Sequence, residues 1–159
     1  MKAARITYIA ILSALAVVFG YIESLFPLPV AIPGVKLGIS NIVILFALLK
    51  MNKSDAFFIL IVKVLVCSLL FSGINSFFYS FSGGIISFFA MILALKLGLS
   101  IIGTSMAGGI FHNLGQILAA SVMLGSFSAF YYFPVLVLSG LIVGGITGLL
   151  CKTVILRLK

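Results

Sequence analysis

The 159-residue chain is 64% hydrophobic, has a mean hydropathy of +1.43, and carries only ten Lys or Arg and two Asp or Glu. A soluble domain of this size cannot bury so much apolar surface, so the excess must face lipid. The net charge of +8 does not mark a nucleic-acid surface, because the basic residues stand singly at the ends of apolar runs, as membrane anchors do.

The N-terminus, Met1-Lys2-Ala3-Ala4-Arg5 before the apolar stretch Ile6 to Ile22, has the outline of a secretory signal. No small-x-small cleavage site precedes Glu23 and further spans follow, so it reads as a retained first helix. Residues 23–36 hold three of the four prolines, which remove backbone donors and disfavour helix before them. This segment is predicted to be an ordered, apolar, extracellular loop that can act as a lid.

A hydrocarbon core about 30 Å thick needs about 17–25 apolar residues to cross it. After 6–22, the expected spans are 37–49, which is short, then 56–71, 77–97, 99–124 and 130–150. The prediction is an all-α integral membrane protein, one multi-pass domain over 1–159, built as a six-helix bundle. With six spans, Lys2, Arg5, Lys50, Lys53, Lys96, Lys152, Arg157 and Lys159 share one side, and Lys36 alone lies on the other. That asymmetry places both termini in the cytoplasm of a plasma-membrane protein.

Lys63 fits neither side. It lies about 12 Å into the third span at 1.5 Å per residue, near the bilayer centre. Ionisable groups there normally face a bundle interior, a partner or a cavity. Either Lys63 pairs structurally, with only Glu23 and Asp55 as carboxylates, or it contacts a polar or anionic ligand. The fifth span carries Gly108-Gly109-Ile110-Phe111-His112-Asn113-Leu114-Gly115-Gln116, the densest polar group in the chain. On a helix Ser105, Gly108, His112, Gly115, Gln116 and Ala119 share a face, with Ile117 falling elsewhere. That face is either a packing seam with His112 bonded across it or a ligand site. Glu23, Lys36 and Asn41, with Asn75, Tyr79 and Ser80, lie at the extracellular ends and would form the mouth of a pocket floored by Lys63 and His112. Tyr131 and Tyr132 read as interface aromatics. Cys67 and Cys151 lack metal or redox spacing and read as packing residues.

Catalysis finds little footing. A prenyl-chain synthase needs clustered aspartates for magnesium, whereas Glu23 and Asp55 are thirty-two positions apart. No Gly-x-x-x-x-Gly-Lys-Ser/Thr phosphate loop occurs, and no cofactor or metal is expected.

The stretch Glu23-Ser24…Pro27…Pro33-Gly34-Val35-Lys36-Leu37-Gly38-Ile39-Ser40-Asn41, with Tyr79-Ser80…Gly83-Gly84 and His112-Asn113-x-Gly115-Gln116, resembles the Gx transporter family. That family is also catalogued as heptaprenyl diphosphate synthase component I, and it is similar to the substrate-binding S components of energy-coupling-factor (ECF) transporters. The resemblance implies a six-helix S component whose first loop closes over a small-molecule substrate. It also implies a membrane coupling protein and cytoplasmic ATPases as partners, docked through an Ala-x-x-x-Ala pattern that Ala10 and Ala14 match. On this reading Lys63, His112, Asn113 and Gln116 contact an anionic or heteroaromatic substrate, with Glu23, Lys36, Asn41 and Tyr79 toward the mouth. The alternative is a non-catalytic accessory membrane subunit of isoprenoid or quinone biosynthesis.

Overall fold

Long apolar runs in a bilayer must satisfy every backbone polar group internally, and without strand partners they do so as helices. The computed structural model, which describes residues 2–25 and 38–158, contains six α-helices and no strand among those residues. They are α1 (Lys2–Leu25), α2 (Asn41–Lys50), α3 (Lys53–Cys67), α4 (Gly73–Lys96), α5 (Ile101–Leu124) and α6 (Phe133–Arg157). A π-helical turn, Ser68–Ser72, joins α3 to α4, and a 3₁₀ turn, Phe127–Tyr132, leads into α6. Five of these segments are long and apolar enough to cross a membrane, and α2 is the short exception.

The boundaries depart from the apolar runs for local reasons. Helix α1 continues to Leu25, so Glu23 is helical rather than part of the loop, because the first proline is Pro27 and the restriction it imposes falls on residue 26. Helix α2 begins at Asn41 rather than 37, since Gly38 has φ +82°, outside the helical region. Helix α6 extends to Arg157 because apolar residues resume after Lys152, which is exposed and does not interrupt the helix. The rest of the proline loop, with Lys36, lies outside the described residues.

Specific contacts fix the arrangement. Helices α1 and α3 run parallel: Arg5 pairs with Asp55 near their starts, and Gly20 packs on Cys67 near their ends. Helices α4 and α5 run antiparallel, with Ser87 Oγ donating to the Gly108 carbonyl at 2.8 Å and Gly115 against the Gly83 backbone. Gly109, Met106 and Ile102 of α5 meet Gly140, Gly144 and Gly148 of α6 in turn, again antiparallel. Arg5, Lys50, Asp55 and Leu158 line one cleft, so the start of α1, the α2–α3 turn and the end of α6 share one end of the bundle. Ile44, Ile59, Leu60, Met91 and Cys151 fill one core, and Ile117, Ala120 and Leu136 fill a second. Leu69, Val122, Phe127 and Ile142 are among the large apolar side chains that point outward, as lipid contact requires.

The short helix sets the site. Ten residues rise about 15 Å, half of a 30 Å core, so with Lys50 at the bundle's end the start of α2 lies at membrane depth.

Candidate functional site at the buried start of α2

A helix that begins inside a membrane exposes unpaired N–H groups where no water can satisfy them, and its N-terminus carries partial positive charge. Glu23 answers both. Its Oε1 accepts hydrogen bonds from the backbone N–H of Gly38 and from that of Ile39 at 2.8 Å. Its Oε2 accepts from the Ser40 hydroxyl at 2.7 Å and, more weakly, from the Ser40 N–H at 3.4 Å. The glutamate is 5% exposed. The expected mouth residue is therefore a buried clamp that ties the end of α1 to the start of α2.

The two basic residues singled out from the sequence converge on this clamp. Lys63, 5% exposed on α3, passes its stem beneath Gly20, 3.8 Å from where a Cβ on that glycine would lie and one turn before Glu23. His112, 2% exposed on α5, lies against Gly38: a Cβ there would stand 3.4 Å from the imidazole Cδ2 and 3.1 Å from Asn41 Nδ2. A side chain at residue 38 would meet this crowding as well as a positive φ, so glycine is required twice over. The Glu23 carboxylate lies within electrostatic reach of both Lys63 and His112. One acid and two basic groups thus meet around a helix N-terminus, a setting suited to anionic groups.

Other predicted residues divide by direction. Gln116 is fully buried beside Gly83 of α4, and neither amide atom has a hydrogen-bond partner among the described residues. Asn41 Nδ2 is likewise buried and unpaired. Asn113 faces the other way, its Nδ2 donating to the Leu136 carbonyl at 2.6 Å and to Ser139 Oγ at 3.2 Å on α6. Tyr79 packs against the second core, one turn from Gly83, rather than entering the Lys63–His112 group. Ile117 is fully buried and Ala119 only partly, the reverse of the expected face, because α6 covers the side of α5 that carries Ile117. Ala10 and Ala14 are exposed on the outer surface of α1.

Beneath the turn, a cavity of about 10 Å³ is lined by Gly38, Asn41, Ser105, Gly108, Gly144 and Thr147 among others. That is room for about one water. Ser105 and Thr147 share a 3.0 Å hydrogen bond across its wall. Sequence reasoning passed over Gly38 and Ser40 as clamp partners and the stripe Gly140-x-x-x-Gly144-x-x-x-Gly148. The small-x-x-x-small spacing was the available signal for that stripe. Among the described residues no three His, Cys, Asp or Glu side chains gather as metal ligands. The two carboxylates lie at separate places, Asp55 on Arg5 and Glu23 on the α2 turn.

Fold and site together define a multi-pass α-helical membrane protein with a polar, charge-bearing centre walled inside its bundle. The sequence profile of the heptaprenyl diphosphate synthase component I family matches residues 12–154, and the chain belongs to that family. No curated protein and no solved structure matches it.

Proposed function

We propose that this chain is the substrate-binding membrane subunit of an ECF-type uptake transporter, taking a small anionic or heteroaromatic molecule. The observation that carries this reading is the convergence of buried Lys63 and His112 on the membrane-embedded start of α2. Ionisable groups at that depth are costly and mark substrate pathways, and interrupted helices with N-termini at mid-membrane are a recurring way to hold anionic substrates. Lys63, His112, Asn41 and Gln116 contact the ligand in this reading, and Glu23 holds the turn that presents them. Asn113 and Tyr79 support the walls, and Lys36, which lies outside the described residues, remains the mouth residue expected from the sequence. In this reading the end bearing Arg5, Lys50 and Arg157 faces the cytoplasm across a plasma membrane, which its basic excess supports. Exposed Ala10 and Ala14 offer a close-approach surface to a membrane coupling protein, which carries the ATPases with it.

The family description favours a second reading, an accessory membrane subunit beside a prenyl diphosphate synthase. The separation of Glu23 from Asp55 leaves the magnesium-binding acids of such an enzyme to a soluble partner.

Native mass spectrometry of the protein, gently purified from its own cells, tests the two. A retained metabolite that disappears in Lys63→Met and His112→Leu, with ATPase subunits present, supports uptake. An empty bundle with a synthase partner overturns it.

A further inference from the structure

A second region of the molecule, at the end bearing Arg5 and Leu158, has the shape of a site for an amphiphile. Two cavities meet between α1, α2 and α6 and share Leu12, Phe46 and Leu158. The deeper one, about 320 Å³, is a half-open furrow walled only by apolar side chains, including Leu15, Phe19, Ile42 and Val154. The other, about 760 Å³, opens at the bundle's end and is rimmed by Arg5, Tyr8, Lys50 and Asn52.

The order is the same on α1 and α2, and the α6 end adds apolar wall. Along α1 the lining passes from Arg5 and Tyr8 through Leu12 to Leu15 and Phe19, about 21 Å at 1.5 Å per residue. Along α2 it passes from Lys50 through Phe46 to Ile42, and along α6 from Leu158 through Val154 to Cys151. Charge lies at headgroup level and apolar surface at acyl-chain level. Arg5 commits Nε and one terminal nitrogen to Asp55, at 2.9 and 2.6 Å, yet its side chain remains 54% exposed with donors to spare. Lys50 is exposed and pairs with no side-chain carboxylate among the described residues, Asp55 being bound to Arg5 and Glu23 to the α2 turn.

We propose that this cleft binds an anionic phospholipid of the surrounding bilayer, with its phosphate at Arg5 and Lys50 and one acyl chain in the furrow. The charge selects the headgroup, and the matching gradient on α1 and α2, closed by the apolar side chains of α6, selects a molecule with a chain. The site is separate from the Lys63–His112 centre and independent of the uptake reading. It also leaves the proposed coupling surface open, because Ala10 and Ala14 are each about 200° round α1 from Leu12.

The test is native mass spectrometry of the full chain in detergent, titrated with phosphatidylglycerol or phosphatidylcholine of identical chains. The wild type is expected to retain phosphatidylglycerol about fivefold better, the preference of a basic side chain for an anionic headgroup. Lys50→Glu is expected to erase that preference while leaving lipid bound. Leu15→Trp and Val154→Trp, from two different walls, are expected to reduce retention of both lipids. Val122→Trp, on an exposed face of α5 away from the cleft, is expected to change neither. Equal retention of both lipids by the wild type would overturn the proposal. So would an unchanged preference in Lys50→Glu, unchanged retention in both tryptophan variants, or preferential capture of farnesyl diphosphate over phosphatidylglycerol.

Discussion

Glu23 accepts a 2.7 Å hydrogen bond from the hydroxyl of Ser40, seventeen residues further along the chain, and so fastens the end of α1 to the start of α2. The bond belongs to a set that also takes the N–H groups of Gly38 and Ile39, at a depth where water offers no substitute. A helix too short to cross the bilayer can therefore begin inside it.

Glu23→Gln keeps the shape of the side chain but can turn an NH₂ group toward donors. It is expected to destabilise the protein by about 1–3 kcal/mol, the range for leaving buried polar groups unsatisfied. Glu23→Ala is expected to do at least as much damage. Thermal unfolding in detergent measures both, and unaltered stability would mean that the turn is held by something other than the carboxylate.

Gln116 makes the opposite prediction. Its amide is fully buried with neither atom paired among the described residues, so Gln116→Leu, of similar volume, removes a desolvation cost. The variant is expected to be about 1–2 kcal/mol more stable and to lose any metabolite that co-purifies with the wild type. A stabilised variant that still carries the metabolite would remove Gln116 from the site.

Gly144 and Gly145 are neighbours with opposite expectations. A Cβ on Gly144 would stand 2.7 Å from the Met106 Cα and 2.8 Å from the Ser105 carbonyl oxygen, whereas one on Gly145 would meet nothing within 4 Å. Gly144→Ala is expected to cost about 1–3 kcal/mol by forcing α5 and α6 apart. Gly145→Ala is expected to add about 0.5–1 kcal/mol through helix propensity. Unfolding midpoints of the two variants, compared side by side, decide the matter, and equal effects would contradict the packing described.

Ser105 and Thr147 join α5 to α6 by a side-chain bond of 3.0 Å. Thr147 Oγ1 can also turn to the Val143 carbonyl at 2.8 Å, which lowers what the interhelical bond adds. A double-mutant cycle with alanine at both positions is expected to give a coupling of about 0.6 kcal/mol. A coupling well above 2 kcal/mol would show that the pair holds the cavity wall more firmly than its geometry suggests.

The helices were legible because their signal is local. Residues 56–71 and 99–124 read as spans from run length alone, and the observed helices differ mainly where a polar end residue continues the backbone geometry, as at Lys53, or a glycine of positive φ interrupts it, as at Gly38. Lys63 and His112 were legible for a related reason: a charge or imidazole within an apolar run has few tolerable places to go.

Directions within the bundle were not legible. Asn113 and Gln116 lie three positions apart on a common buried flank of α5, yet Asn113 bonds to α6 and Gln116 packs on Gly83 of α4. A helical wheel identifies the covered side but not which neighbour covers each part of it. Glu23 shows the same limit, since its role depends on a turn that folding delivers from residues 38–40.

The sequence by itself determined that the chain lives in a membrane, where its helices run, and that Lys63 and His112 had to be buried, because hydropathy and helix formation act over neighbouring residues. Only the tertiary structure decided that Glu23, Lys63 and His112 meet at the start of α2, that Asn113 serves the α6 contact, and that charge and apolar surface line up along the α1–α2–α6 cleft. Those relations join residues tens of positions apart, and they come into being only when glycine-lined faces pack closely enough to fix which side chains share a space.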